Sequence, residues 1–529
     1  MPAFIRFGLA AVSGWLAYLS YEPIGHWWAG IAGVALLWLM LVPWPRGLTT
    51  PLGMAGEAQE RPTVAFGAFI GLTHGLFCYL FLLPWVGEFV GPMPYIALAV
   101  TMALYALATG AFGVIAARWR FGAMAFPFIY VAVEFVRSSW PFGGFAWVRL
   151  AWGQINGPLA PLAAWGGPAL VTLAAVFVAV GLASLLDAAS RRAAALAVVL
   201  AVVLPLAAGL LAGLGVGGDS STVDRARVAA VQGNVPRMGL DFNEQRRAVL
   251  SNHVNETLKL AQETRNAGER LDIVIWPENA SDVNPFADAE AAALVGVAVR
   301  GVDAPVLVGT LTRDDVGARN TMVVFDPETG AGERHDKRFL QPFGEYMPMR
   351  DFFRNFSELV DLAGDFKPGD DNGVVHMGNI PVGVATCYEV AEDEAYRMAV
   401  RGGAQILSTP TNNATFGFTD MTYQQLAMSR MRALETDRAV VVAATSGVSA
   451  IVHPDGTVSQ QTSIFEPAHL VEELPLRTGT TPAVRFGGAL EWLLVGAGAL
   501  LMLAATVSAR KNRRGYAPSR NPKLTYEEM

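Results

Sequence analysis

Apolar and polar positions divide this chain into two regimes. From Met1 to about Leu214 long hydrophobic runs follow one another, and a further run occupies Phe486–Val507. A bilayer core of about 30 Å takes about 20 apolar residues in a helix. The runs that meet or approach that length are Phe4–Tyr21, Trp27–Val42, Val64–Val86, Tyr95–Ala117, Ala123–Val136, Leu159–Leu186, Ala193–Leu214 and Gly487–Val507. The pattern predicts about eight spans, of which Ala123–Val136 is the shortest. Glu22-Pro23 follows the first run without a small-residue cleavage pattern, so that run is read as a first span and not as a signal peptide.

Between about Asp219 and Arg485 the pattern changes. Short β-rich runs recur at Arg227–Gln232, Ile273–Trp276, Val306–Gly309, Met322–Phe325, Pro381–Thr386, Ile406–Thr409, Val440–Ala444 and Ser449–His453. Amphipathic helical patterns at Glu244–Arg265 and Thr422–Thr436 lie between some of them. Continuous apolar strands belong to a sheet covered on both faces. The prediction is a polytopic α-helical membrane domain of about eight spans with an inserted α/β sandwich domain. The expected division is 1–216 for spans 1–7, 217–485 for the insert, 486–509 for the last membrane helix and 510–529 for a polar tail.

Composition agrees. Hydrophobic residues make up 52% of the 529 and charged residues only 16%, below the 25% or so of a soluble protein. Mean hydropathy is +0.34, which excludes a disordered chain. A net charge of −7 gives no basic excess for a nucleic acid. Two cysteines exclude a disulfide framework, and no metal-ligand spacing is present, so neither metal nor cofactor is expected.

Loop charges then orient the spans. Arg46, Arg61, Arg118, Arg120, Arg191, Arg192 and the cluster Arg510, Lys511, Arg513 and Arg514 fall on one side if every span is real. The positive-inside rule makes that side, and both termini, cytoplasmic, and seven preceding spans place the insert outside. Arg137 and Arg149 break the pattern on the outer side. The outer loops are also aromatic, with Trp27, Trp28, Trp85 and the stretch Trp140–Trp152. They read either as an interfacial aromatic belt or as a lipid-facing vestibule.

Sites in open α/β sheets form at the carboxyl ends of strands. Three residues stand out there: Glu278 in "WPENA", Lys337 in "RHDKRFLQPFGEYMP" and Cys387 in "ATCYEV". A nucleophilic cysteine needs a base, or a cation that lowers its pKa. No histidine has a motif pairing it with Cys387, although His335, His376 and His453 leave a Cys–His dyad open. Each of the three residues also has a bland reading, as a buried thiol or a surface charge. Cys78, inside an apolar run, reads as a small core residue.

"WPENA", "DKRFLQPFGEYMP" and "VGVATCYEV" together resemble the Glu–Lys–Cys triad of the carbon–nitrogen hydrolase (nitrilase) superfamily. "QGNVP" at Gln232–Pro236, "TNNATFG" and "MSRMRALETDRAVVVAATSGVSAIVHPDG" resemble its other strands. A domain of this kind inserted before the last of about eight spans is the plan of the apolipoprotein N-acyltransferase family. The resemblance covers essentially the whole chain. It implies Glu278 as general base, Cys387 as nucleophile and Lys337 as oxyanion stabiliser. Glu345 and Glu389 are implied as acidic neighbours, with Tyr388 shaping the pocket. It implies a phospholipid acyl donor, a diacylglyceryl apolipoprotein acceptor, and an extracytoplasmic catalytic domain in a bacterial plasma membrane. Where the family often carries Trp, this chain reads "RMGLDFN" and "NNATFG".

Two segments are candidate lids. Asp351–Leu362 is expected to place Phe352, Phe353, Phe356, Leu359 and Val360 on one helical face, and Phe416 and Phe418 flank Gly417. The competing readings are a membrane-tethered amidase with the same triad, and a non-enzymatic transporter or scaffold. The latter is disfavoured by an intact triad and by spans without paired charges, Glu134 being the one charge that stands out.

Overall fold

The computed structural model describes residues 2–43, 62–185, 207, 221–235 and 242–514. Apolar runs become helices at Ala3–Tyr18, Trp27–Leu41, Val64–Leu82, Pro92–Ala117, Gly122–Ser139, Ala163–Ser184 and Pro482–Arg514. Among the described residues, four segments are long and apolar enough to cross a membrane: Val64–Leu82, Pro92–Ala117, Ala160–Ser184 and Pro482–Arg510. Ala3–Tyr18 and Trp27–Leu41 are apolar but shorter. The expected span at Ala193–Leu214 lies outside the described residues, as do Arg46, Arg61, Arg191, Arg192, most of the "RMGLDFN" stretch and residues 515–529. The last helix leaves Trp492, Leu493, Leu500 and Leu503 more than half exposed, an apolar face that suits hydrocarbon and not water.

Small residues let the first helices pack closely. A Cβ on Gly71 would strike the Ala106 carbonyl, and one on Gly110 the Gly67 carbonyl, so Val64–Leu82 and Pro92–Ala117 touch backbone to backbone.

The expectation of spans without paired charges is corrected. Arg137 pairs with Glu134 at 3.3 Å, and both are buried. Glu134 also accepts from the Leu150 N–H at 2.9 Å and the Thr172 hydroxyl at 2.7 Å, while Arg137 donates to the Val148 carbonyl at 2.8 Å. The pair holds the loop that follows its own helix. Arg149 in that loop pairs with Asp393 at 2.9 Å and Glu491 at 3.2 Å. Both arginines that break the expected charge pattern are therefore neutralised inside the protein.

The polar insert forms two six-stranded sheets. Its strands are β1 (Ser221–Gln232), β2 (Ile273–Ile275), β3 (Val306–Arg313), β4 (Ala318–Asp326), β5 (Gly330–Asp336), β6 (Val374–Met377), β7 (Ile380–Val384), β8 (Ile406–Thr411), β9 (Val440–Ala444), β10 (Ala450–Val452), β11 (Val458–Gln461) and β12 (Ala468–Thr478). The orders are β12-β1-β2-β3-β4-β5 and β11-β10-β9-β8-β7-β6. The centres, β1-β2-β3 and β7-β8-β9, are parallel and the edges antiparallel. Side chains alternate across each strand. Val228 and Ala230 meet Val382, Val384 and Val441 between the sheets, while Ala229 and Val231 face the helices Phe242–Ala267 and Ala289–Val302. On the other sheet Val440 and Val442 pack with Asp393–Arg401 and Met421–Thr436, in a core continuous with the membrane helices. The result is a four-layer α-β-β-α sandwich whose lower helical layer sits on the apolar helices.

Candidate active site

Three strand ends bring the chemistry together. Glu278 follows β2 in the turn Pro277-Glu278-Asn279, with Asn279 in the left-handed region at φ 56°. A Cβ on the adjacent Gly309 of β3 would strike the Pro277 carbonyl, so a glycine lets β3 run against this turn. Lys337 directly follows β5, and Cys387 opens the short turn Cys387–Ala391 after β7 at φ 51°. A non-glycine residue held at positive φ is a strained conformation that its surroundings must impose.

Those surroundings are polar and buried. Lys337 Nζ lies 3.0 Å from Glu278 Oε1 and 2.9 Å from Glu345 Oε1. Asn320 on β4 donates to both carboxylates, at 2.6 Å and 3.0 Å. Glu278 Oε2 accepts from the Asn412 N–H at 3.0 Å, and Glu345 Oε2 from the Gln341 N–H at 2.8 Å. Lys337 is 2% exposed, and burial alone would lower its pKa. Glu278 and Glu345, with Cys387 and Glu389 behind them, outweigh that and raise it well above the usual lysine range. Burial pushes the Cys387 thiol up to about 12. Glu278 adds to that push, while Lys337 and the Thr411 hydroxyl act against it. The resting sulfur is a thiol beside a carboxylate and an ammonium, an arrangement able to move a proton and hold a developing oxyanion.

Glu389 is the bracket between the lysine and cysteine segments. Its Oε1 accepts from the backbone N–H groups of Arg338 and Phe339, both at 2.9 Å, and its Oε2 from the Thr386 N–H at 2.7 Å. His335 bridges Asp371 at 2.6 Å and Glu389 at 3.5 Å. Burial would lower the His335 pKa, but the two carboxylates raise it to about 10. His376 pairs with Glu333 and His453 with Glu472, so a Cys–His dyad does not form.

Tyr388 ties the nucleophile turn to the membrane helices. Its ring stacks between Phe145, at 6.4 Å, and Trp147, at 6.5 Å. Trp147 and Trp152 are fully buried and Trp85 nearly so. The aromatic loops are thus neither an interfacial belt nor an open vestibule at these positions. They are a packed seam between the two parts of the chain, and only residues such as Trp28 and Trp140 are exposed. Beside the seam opens a cleft of about 530 Å³, walled by Phe142, Phe339, Tyr346, Phe366, Tyr388 and Glu392.

The segment Asp351–Leu362 is not one helix. Arg350–Arg354 is a short helix, and Glu358–Leu362 a separate 3₁₀ turn begun by Ser357, whose hydroxyl accepts from the Leu359 N–H at 3.2 Å. Phe352, Phe356 and Leu362 are exposed, whereas Val360 is buried. Of the second candidate lid, Phe416 packs edge-on against Trp85 at 5.3 Å, and Phe418 is exposed beside Phe465.

Sequence reasoning singled out Glu278, Lys337, Glu345, Tyr388, Glu389 and Cys387; the fold joins Glu278, Lys337 and Glu345 in one cluster, Glu389 ties that segment to the Cys387 turn, and Tyr388 meets the seam. It passed over Asn320, Thr411, Asn412 and Gln425. Only the "TNNATFG" stretch carried a signal for any of these, Thr411 ending β8 and Asn412 following it.

The sequence profile of the apolipoprotein N-acyltransferase N-terminal domain matches residues 13–181, and that of carbon–nitrogen hydrolases matches residues 227–481. An apolipoprotein N-acyltransferase of Mycolicibacterium smegmatis is 42% identical, over 94% of this chain and 84% of its own length. One from Pasteurella multocida is 27% identical over 96% of each chain. Among solved structures, Saccharomyces cerevisiae Nit3, of the nitrilase superfamily, aligns with 48% of this chain and 91% of its own, at 16% identity and a TM-score of 0.36. By its identity and coverage with the mycobacterial protein, the chain belongs to the apolipoprotein N-acyltransferase family.

Proposed function

We propose that this membrane protein transfers an acyl chain from a phospholipid to the α-amine of the diacylglyceryl-cysteine of apolipoproteins, through a thioester on Cys387. The observation that carries the reading is the convergence of Glu278, Lys337 and Cys387 beside a cleft at the seam with the apolar helices.

In the first half-reaction Glu278 takes the thiol proton as the sulfur attacks the acyl ester carbon. Lys337 holds the developing O⁻. Collapse breaks the ester C–O bond, the lyso-phospholipid oxygen receives the proton from Glu278, and the thioester remains. In the second, the acceptor's neutral amine attacks the thioester carbon. The C–S bond breaks, Glu278 takes the amine proton, and the departing sulfur recovers it. The product is an amide. This is ping-pong covalent catalysis. Glu345 shares Lys337 and keeps it charged. Glu389 fixes Lys337 and Cys387 relative to each other, and Tyr388 forms the wall of the cleft.

In this reading 1–216 is the first part of the membrane domain, 217–485 the catalytic domain, 486–509 the last membrane helix and 510–529 the tail. About eight spans with cytoplasmic termini place the catalytic domain on the extracytoplasmic face of a bacterial plasma membrane, where both lipidated substrates reside. The exposed Phe352, Phe356 and Leu362 suit contact with acyl chains. The amidase alternative is not favoured, because the match to acyltransferases runs through the membrane helices as well as the triad.

The test is intact-protein mass spectrometry after incubation with phospholipid. An acyl adduct on wild type that is absent from Cys387→Ser supports the reading. Hydrolysis of short amides without any adduct would overturn it.

A further inference from the structure

We propose that Gln425 is a further catalytic residue, whose side-chain amide donates a hydrogen bond to the Cys387 sulfur and holds negative charge there as the thiolate forms and again as it departs. This rests on the reading of Cys387 as the nucleophile. Gln425 Nε2 lies 3.6 Å from Cys387 Sγ, and the glutamine is 1% exposed.

The orientation of that amide follows from its partners. Which end of a glutamine is nitrogen is settled by its hydrogen-bond network. Gln425 Oε1 accepts from Asn413 Nδ2 at 3.1 Å, and the Thr411 hydroxyl, whose single proton faces both Gln425 Oε1 at 3.0 Å and Asn413 Oδ1 at 2.9 Å, lies on the same side. Asn413 Nδ2 also donates to Thr422 Oγ1 at 3.0 Å, an oxygen that accepts from the Val448 N–H at 2.9 Å as well. With the oxygen end claimed by donors from the β8 loop, the NH₂ end is the one that faces the sulfur.

The preceding residue anchors the helix Met421–Thr436 that carries it. Gln424 Oε1 accepts from the indole N–H of Trp147 at 2.8 Å and of Trp85 at 3.2 Å, and its Nε2 donates to the Leu82 carbonyl at 3.1 Å. Consecutive helical side chains point about 100° apart. One glutamine therefore grips the aromatic seam while the next reaches the nucleophile.

The chemistry needs such a donor. Burial disfavours the thiolate, and Lys337 is already shared by Glu278 and Glu345. A hydrogen bond to the charged form favours that form. Because the sulfur is anionic both as it attacks and as it is expelled by the amine, one donor serves both half-reactions.

The experiment follows the two half-reactions separately, by the rate of acyl adduct formation with phospholipid and the rate of its loss to a diacylated lipopeptide, across pH, in full-length protein. Gln425→Leu removes the donor at similar volume, and Gln425→His restores an N–H. The expected result is that Gln425→Leu slows both steps by about ten- to a hundredfold, as for a lost hydrogen bond to a charged group. Its rate–pH limb moves upward, the phospholipid KM is unchanged, and Gln425→His recovers most of the rate. Wild-type rates and pH dependence in Gln425→Leu would overturn the proposal. So would equal losses in both variants with a raised KM, the mark of damaged packing. If Gln425→Leu does not fold, Gln425→Met, which also lacks the donor, decides: an upward-shifted limb with slowed steps supports the proposal and a wild-type limb and rate overturn it. A wild type that forms no adduct would instead sink the assignment of Cys387.

Discussion

Replacing Glu278 by Gln separates the base from everything else this carboxylate does. With the thiol pushed up to about 12, roughly one Cys387 in ten thousand is thiolate at pH 8, against about a quarter for an ordinary cysteine of pKa about 8.5. The resting group is thus a thiol, and in this account its proton passes to Glu278 during attack. Gln keeps the side-chain shape, and its oxygen can still accept from Lys337 and Asn320. Its NH₂, however, meets the Asn412 N–H, donor against donor, where the carboxylate accepts at 3.0 Å. Loss of a general base costs about 10²–10⁴ in rate, and the unsatisfied donor costs about 1–3 kcal/mol more. Lys337 retains Glu345 at 2.9 Å, so the cluster keeps a counter-charge. The substitution also removes one of the charges that raise the thiol pKa. Two opposite signatures follow: acyl adduct formation from phospholipid falls at least a hundredfold at pH 8, while alkylation of Cys387 by iodoacetamide, which needs only thiolate, becomes faster and reaches its plateau at lower pH. An adduct rate within tenfold of wild type, or an alkylation profile shifted to higher pH, would refute the reasoning.

Three further outcomes are expected. Gly309→Ala places a methyl group against the Pro277 carbonyl, displacing Glu278; acyl adduct formation falls more than tenfold and the melting temperature falls with it, and a wild-type rate contradicts this. His335, raised from 6.5 to about 10 by Asp371 and Glu389, contributes stability that is whole below about pH 6.5 and lost as pH rises through about 10, on the order of a few kcal/mol. Melting temperature in wild type should fall between pH 8 and 10.5, and His335→Asn should be less stable at pH 7 with a flatter profile; parallel profiles would contradict the linkage. Arg149→Met strips the buried Glu491 carboxylate of its ion pair, while Asp393 keeps Arg432 at 2.9 Å; the unpaired charge costs about 3–5 kcal/mol, seen as a lower melting temperature, and an unchanged melt contradicts the seam as described.

The central strands were legible because both their faces are covered. Val440–Ala444 is apolar throughout and needs no periodicity to be recognised. The edge strands β5, β6, β11 and β12 escaped because exposed polar positions interrupt them, as in Gly330–Asp336. The exposed arm misled for a different reason. Its aromatic spacing fits a helix, but Ser357 caps a new turn and breaks it. Glu278 and Cys387 stood out at strand ends and Lys337 only through the motif around it, yet nothing local says which distant amides orient them. Asn320 and Gln425 are ordinary polar residues until β4 and a helix bring them to the carboxylates and the sulfur. Arg137 and Arg149 likewise read as misplaced loop cations until their buried partners are seen.

The central claim is that one acyl chain passes from phospholipid to sulfur to amine, and an isotope-labelled acyl chain in a single turnover follows it directly. The account predicts that labelled phospholipid gives a labelled adduct on Cys387, and that adding a diacylated lipopeptide moves the label to its α-amine at the rate the adduct disappears. Label that reaches the lipopeptide in Cys387→Ser, or an adduct that decays to free fatty acid without acylating the amine, would contradict it.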